Sequence, residues 1–428
     1  MKTKSPFLVL GLLAFVSAVP LAAGQPVVSI DTAAPMSPMA PGQSVTMAVS
    51  VPGSPVAYQW KLNGENIPGA TGRSHTLPVV GAADRGSYQV VATGSGGSVT
   101  AELGSISVAA SDARLTNLSG RAMVGTGSDV MIVGFVSRGD ANSTNKNILL
   151  RGMGPALARM GGMSGGVLTN PILTIFDGQA SPMGSNMGWT NMLVRASGSG
   201  ASRVQATMQS ATLNMMNTVG AFGPAMGSAD SALMMNAPHG AYTAVMSAAN
   251  NSSGIALAEC YDADAALGNG ANTARLVNMS TLANVGTGAN VLIAGFVMAA
   301  GPSGLPGTVL LRAMGPALAA MGISGAMPGP TMTLYEGNSK PIASNTGWSN
   351  GPVMSGGNDA ATTRAGIVPA AMGVMARVGA FPPAAGSADS AMVATLPPGA
   401  YTVIVSGLPD NSGRPMTGVV LCEVYEVR

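Results

Sequence analysis

Charge is scarce in this chain. Asp, Glu, Lys and Arg make up 9% of its 428 residues, and a formal net charge of +2 is not backed by any block of Lys or Arg. Nucleic-acid binding needs a clustered basic footprint, so no nucleic-acid partner is expected. Cysteine is nearly absent: Cys260 and Cys422 are the only two, which excludes a disulfide-dense scaffold and leaves stability to packing. They lie in corresponding strands of two different segments, beside Glu259 and Glu423. The alternation predicts two buried, unbridged thiols with the glutamates pointing outward. The two histidines, His75 and His239, fall in different segments, so neither a catalytic His nor a His metal cluster is expected. No G-x-S-x-G elbow, H-E-x-x-H or P-loop occurs, and no cofactor is implied. Aromatic residues are 4%, too few for a strong sugar-stacking platform.

What is present is apolar and small. AVILMFWYC account for 46% and glycine for 59 residues, which excludes a highly charged disordered chain. The length exceeds one hydrophobic core and predicts about three domains. Lys2 and Lys4, an apolar run from Phe7 to Val19, and Leu21-Ala22-Ala23-Gly24 have the form of a cleaved signal peptide over 1–24. Export to the cell surface or medium follows, with no membrane span after cleavage because the run is too short. The tail from Val420 to Arg428 reads as a final strand that leaves no room for a C-terminal anchor.

From Val27 to Ala110, short alternating runs are punctuated by Pro-Gly, Asn-Gly and Gly-Gly, the pattern of hairpin-linked strands. Val45, Met47 and Val49, then Tyr58-Gln59-Trp60-Lys61-Leu62-Asn63-Gly64, Leu77, and Asp84-Arg85-Gly86-Ser87-Tyr88-Gln89-Val90 resemble the core positions of an immunoglobulin domain, over about one fifth of the chain. That resemblance implies that Trp60 packs between the sheets and that Tyr88 forms a corner hydrogen bond. It places Val49 and Val90 where the family carries its disulfide. Aliphatic packing must then replace a staple worth about 2–4 kcal/mol.

After Ala109-Ala110-Ser111-Asp112 the chain repeats itself. Arg114-Leu115-Thr116-Asn117-Leu118-Ser119 returns as Arg275-Leu276-Val277-Asn278-Met279-Ser280, a period of 161 residues. At the same offset Val124-Gly125-Thr126-Gly127 matches Val285-Gly286-Thr287-Gly288, Gly134-Phe135-Val136 matches Gly295-Phe296-Val297, and the run from Leu149 to Ala158 matches Leu310 to Ala319. The register then slips by two, so that Trp189 answers Trp348, Gly220-Ala221-Phe222 answers Gly379-Ala380-Phe381, and Gly227-Ser228-Ala229-Asp230 answers Gly386-Ser387-Ala388-Asp389. Insertions between strands are where loops tolerate them. Within a copy the periodicity is two, as in Val130, Ile132 and Gly134, or Ile172, Thr174 and Phe176. One short helical turn is predicted at 154–161, where Pro155 starts it and Gly161 stops it.

The predicted fold is all-β: an immunoglobulin-like sandwich at 25–110, then two tandem jelly-roll-like β-sandwiches of about eight strands at 111–265 and 272–428, each with an independent core. The two copies resemble a tandem module of large exported bacterial proteins, and their second halves are similar to jelly-roll sandwiches C-terminal to secreted peptidases. That implies an accessory or binding role.

The charges shared by both copies, Arg114 and Arg275, Arg151 and Arg312, Asp230 and Asp389, Glu259 and Glu423, have the form of structural pairs, because a buried unpaired charge costs several kcal/mol. Arg151 is expected to pair with Asp230 or Glu259, and Arg312 with Asp389 or Glu423. The 30 methionines include Met36-x-x-Met39, Met160-x-x-Met163, Met215-Met216 and Met234-Met235, which read as core residues in place of Leu more readily than as Cu(I) ligands. Arg138-Gly139-Asp140 spells an integrin-type tripeptide in the first copy only. The expected function is non-catalytic adhesion, scaffolding or binding toward a protein or polysaccharide of the surface or matrix, with a protein or matrix partner favoured because aromatics are few; the alternative is an accessory module of a secreted hydrolase system.

Overall fold

A computed structural model describes residues 25–428 except 53–56, 128, 161–165, 192–193, 196–205, 271, 338–339 and 356–365. The segment expected to be a signal peptide, 1–24, and Met163 lie outside the described residues. The described chain is all-β, with only short helical turns. No helix among the described residues is long and apolar enough to cross a membrane.

The N-terminal unit packs two small antiparallel sheets. One holds strands Ser29–Thr32, Val45–Ser50 and Ser74–Leu77; the other holds Glu65–Asn66, Ala57–Leu62, Gly86–Gly94 and Gly97–Ile106. This division of strands is that of an immunoglobulin sandwich. Met47, Val49, Trp60, Leu77, Tyr88 and Val90 share one core. The Trp60 indole N–H donates to Gly72 O at 2.9 Å and the Tyr88 hydroxyl to Asp84 O at 3.0 Å, so neither polar atom is buried without a partner.

Each later copy contributes ten strands among the described residues, two more than the periodicity indicated. The additions include a short pair, Val194–Arg195 and Thr207–Ser210 in the first copy and Val353–Met354 and Gly366–Pro369 in the second. The alternation holds, and its buried phase is carried by Met131, Val133 and Phe135 and by Leu173 and Ile175, because side chains one residue apart face opposite sides of a strand.

The two cores are not independent, contrary to the sequence expectation. A single hydrophobic cluster runs through both copies and includes Leu118, Phe135, Leu276 and Phe296. Strand Leu292–Ala299 of the second copy pairs antiparallel with Arg114–Val124 of the first, and Arg275–Val285 meets Met131–Arg138 at Arg275 and Leu276. Each copy thus extends the other's sheets. The reason is written in small residues: a Cβ added to Gly120 would fall 2.3 Å from Thr281 Oγ1, one on Gly295 would fall 2.5 Å from Ser119 Oγ, and one on Gly134 would fall 2.6 Å from Ser280 Oγ. Gly120 and Thr281 are the same position in the two copies, as are Ser119 and Ser280, and Gly134 and Gly295. The motifs that repeat therefore meet their own counterparts across a pseudo-twofold seam.

The outer faces of these sheets are covered as well. Pro155–Arg159 forms the predicted helical turn, matched by Pro316–Ala320. A second helix in each copy, Leu213–Thr218 and Met372–Val378, went unpredicted. Its signal was present in Thr212, whose hydroxyl accepts from Met215 N, and in Gly220 just beyond the end. In the first copy this helix packs with Trp189, Met234 and Tyr261 on the outer face. Strand Lys146–Met153 is consequently buried at every position. The cover also overturns the outward placement of Glu259 and Glu423: both are buried, under the second layer that the helix and the Trp loop supply. Cys260 and Cys422 are free, buried thiols. Burial, the largest cause, pushes the Cys422 thiol up to about 12 and Cys260 likewise upward.

The immunoglobulin-like unit docks on the second copy. Ala82 N–H donates to Thr308 Oγ1 at 3.1 Å, Arg377 donates to Ala82 O at 2.7 Å, and Ala82 and Ala83 join the second copy's outer cluster with Trp348 and Met375.

Candidate functional site

The shared charges form one polar centre per copy. Arg151 Nε donates to Glu259 Oε2 at 2.8 Å, a second guanidinium nitrogen reaches the same oxygen, and a third reaches Phe222 O. Its guanidinium lies 4.5 Å from the Phe222 ring centroid and 5.5 Å from that of Tyr261, whose hydroxyl donates to Glu259 Oε1 at 2.8 Å. Arg312, Glu423, Phe381 and Tyr425 repeat this, with Arg312 Nε to Glu423 at 2.8 Å and Tyr425 to Glu423 at 2.6 Å. Burial first, then the neighbouring glutamate, pushes both tyrosine hydroxyls upward, so they stay protonated donors.

Of the two partners considered for each arginine, the glutamate is the one engaged. Asp230 instead accepts from Gly154 N at 2.7 Å, Ala156 N at 3.1 Å and Ser228 Oγ at 2.7 Å; Asp389 does the same with Gly315 N, Ala317 N and Ser387. These carboxylates close the first turn of the short helix after the Gly-Pro step, where backbone donors lack partners. Arg114 pairs with Asp262 at 3.2 Å, and Arg275 with Glu426. The remaining repeated blocks are also used internally. Tyr242 and Tyr401 donate to Pro238 O and Pro397 O at 2.7 and 2.8 Å and stack on Phe135 and Phe296. Met39, Met216, Met234 and Met235 are buried in apolar clusters as the core reading expects, whereas Met36 and Met160 lie on the surface, which corrects that reading for these two.

Where the seam reaches the surface it opens into a cleft of about 530 Å³, lined by Arg138, Arg275, Arg377 and Arg428 with Asp140 and Glu426 among the rest. Arg275 donates to Glu426 and to Ala113 O. Asp140 accepts from Asn142 N at 2.9 Å and from the hydroxyls of Thr273 and Ser143 at 2.9 and 3.1 Å, bonds that hold its carboxyl below the ordinary aspartate value. The carboxylate of the integrin-type tripeptide is thus turned into its own loop and onto Thr273. The His239 ring packs against Gly139 at this end, and the carboxylates that line the cleft, Asp140 and Glu426, are already engaged. Sequence reasoning singled out Arg138 only as part of that tripeptide and passed over Arg377 and Arg428. A position-by-position comparison of the copies was the available signal, since their counterparts are Ala299, Thr218 and Asp264.

No family model matches this chain. The decoration protein of Escherichia phage T5 is 36% identical over 86 residues, 19% of this chain and 52% of that protein; the chain spans about half the length of this curated relative. Among solved structures, titin domains Z1Z2 in complex with telethonin align at a TM-score of 0.18 and 12% identity, over 54% of this chain and 95% of theirs. Three N-terminal domains of the bacteriophage RB49 highly immunogenic outer capsid protein align at 0.17 and 7%, over 93% and 97%. The eight N-terminal immunoglobulin domains of Down syndrome cell adhesion molecule align at 0.20 and 9%, over 79% and 51%. Superpositions this weak carry no argument, and the fold rests on the strand pairing described above.

Proposed function

We propose that this chain is an exported, non-catalytic binding and scaffolding protein of the cell surface or extracellular matrix, built from an immunoglobulin-like module at 25–110 and two sandwich modules at 111–265 and 272–428, with a protein or polysaccharide partner. The observation that carries this reading is the use of the repeated residues. Arg151 and Arg312, Glu259 and Glu423, and Asp230 and Asp389 all close bonds inside the fold, and Ser119, Gly120 and Gly134 shape the seam with their counterparts. What the duplication kept serves architecture, which leaves recognition to surfaces where the copies differ. The partial match to a phage decoration protein agrees with a chain that coats or attaches to a larger surface. The test is fractionation of producing cells followed by a pull-down and a glycan array with the full chain. Recovery outside the cytoplasm with a saturable, chemically unaltered partner is the expected result; turnover of any captured polymer or peptide overturns it.

A further inference from the structure

We propose that the seam cleft binds a carboxylated polysaccharide, a chain of uronic-acid type, through guanidinium–carboxylate pairs made by Arg138, Arg377 and Arg428. This rests on the non-catalytic binding reading and names the ligand class for it.

The charge balance is the first ground. The chain has 20 Lys and Arg residues in all, and four arginines line this one cleft. Arg85 stands close by: burial, and then the charges of Arg377 and Arg428, lower its pKa, so these guanidinium groups repel one another. Glu426 is paired with Arg275, and Asp140 accepts from Asn142 and Ser143 of its own loop and from Thr273. Arg138, Arg377 and Arg428 have no ion pair among the described residues, and all three are exposed. Four guanidinium groups against the two carboxylates of Asp140 and Glu426 leave positive charge in excess in the cleft. An anion from outside would relieve that repulsion.

Pseudo-symmetry is the second ground. The same fold is built in the other copy with Ala299, Thr218 and Asp264 at these positions. The arginines are therefore not a requirement of the sandwich, unlike Arg151 and Arg312, which occur in both copies.

The ligand class follows from form. All the cations that line the cleft are arginines, whose planar forks match the two oxygens of a carboxylate. The bordering strands pair with each other at Arg138 and Arg275, so no free edge is offered there for an extended peptide to join as an added strand. A formal net charge of +2 does not supply the extended basic stripe that a nucleic acid requires. The volume is that of a pocket for one small ligand or a short stretch of a chain, and charge pairing needs no aromatic platform.

Calorimetric titration of the full chain with a short oligogalacturonate, and with its methyl ester, tests this. Saturable binding of the free acid is expected, absent for the ester and weakened steeply by salt. Arg138→Gln and Arg428→Gln should each weaken it about tenfold with unchanged melting temperature, whereas Arg159→Gln at a distant exposed position should leave it unchanged. The proposal is overturned if the free acid does not bind, if the ester binds equally, if both cleft variants bind like the parent, or if polyglutamate, a sulfated oligosaccharide or DNA binds more tightly. Mass analysis of the recovered oligomer separates the two failures. An intact, unbound oligomer removes only this inference, while a shortened one removes the non-catalytic reading beneath it.

Discussion

The two copies share an interior and differ at one end. In the first copy Lys146, fully buried, bonds Asp262 and Asp264 at 2.6 Å each and Ala274 O at 3.0 Å, and Asn236 donates to Asn147 at 2.7 Å. The matching positions in the second copy are Gly307, Glu426, Arg428, Thr395 and Thr308. There the buried lysine network is gone, and the smaller Thr308–Thr395 pair, 3.0 Å apart, receives the immunoglobulin-like unit at Gly81 and Ala82. A Cβ on Gly81 would fall 1.8 Å from Thr395 Oγ1, so glycine is needed for that approach. A duplicated scaffold has diverged by closing one end with charge and docking a neighbour on the other.

The largest effects should be the same in both copies. Arg151→Met and Arg312→Met each strand a buried glutamate and should each cost about 3–5 kcal/mol in denaturant unfolding; a large loss in one copy with none in the other breaks the equivalence. Asp84 sharpens the contrast, because it lies where only the second copy is docked. Burial raises its pKa from 3.8 to about 6, against the hydrogen bond from Gly81 N–H. A raised folded-state pKa adds stability that is complete below about pH 4 and lost as pH rises through about 6. Unfolding followed from pH 7 to pH 4 should therefore show a gain of about 2–3 kcal/mol that Asp84→Asn removes; a variant with an unchanged pH profile contradicts the assignment. Gly81→Val should cost about 1–3 kcal/mol by overpacking and expose the linker at 109–112 to protease. Gly351→Val, at a glycine without positive φ where an added Cβ meets open space, should leave that linker protected. Smallest, Cys260 and Cys422 should resist thiol reagents in the folded chain, since thiolate formation is suppressed at both; rapid labelling of either would show that its strand is not buried.

Much of the fold was legible in the residues. Trp60 and Tyr88, the alternation, and the repeated blocks carry the strand content, because one-face burial writes a period of two. What stayed hidden depends on contacts between distant segments. Glu259 and Glu423 read as outward because alternation assumes one covered face, and a second layer built from Trp189 and a six-residue helix covers the other. The fused core was hidden for a similar reason: Gly120, Gly134 and Gly295 look like ordinary strand glycines until Thr281, Ser280 and Ser119 are seen against them. The cleft arginines are a property of the seam, and no single segment announces them.

The fused seam is tested most directly by exchanging the pair that meets on its pseudo-twofold, Gly120 and Thr281. Gly120→Thr places a β-branched side chain on Thr281 and should be severely destabilising, and Thr281→Gly should lose packing. The expected result is that the double exchange recovers most of the stability, with a coupling well above the roughly 0.5 kcal/mol within which distant sites add. Losses that simply add would mean that the two copies do not share a core.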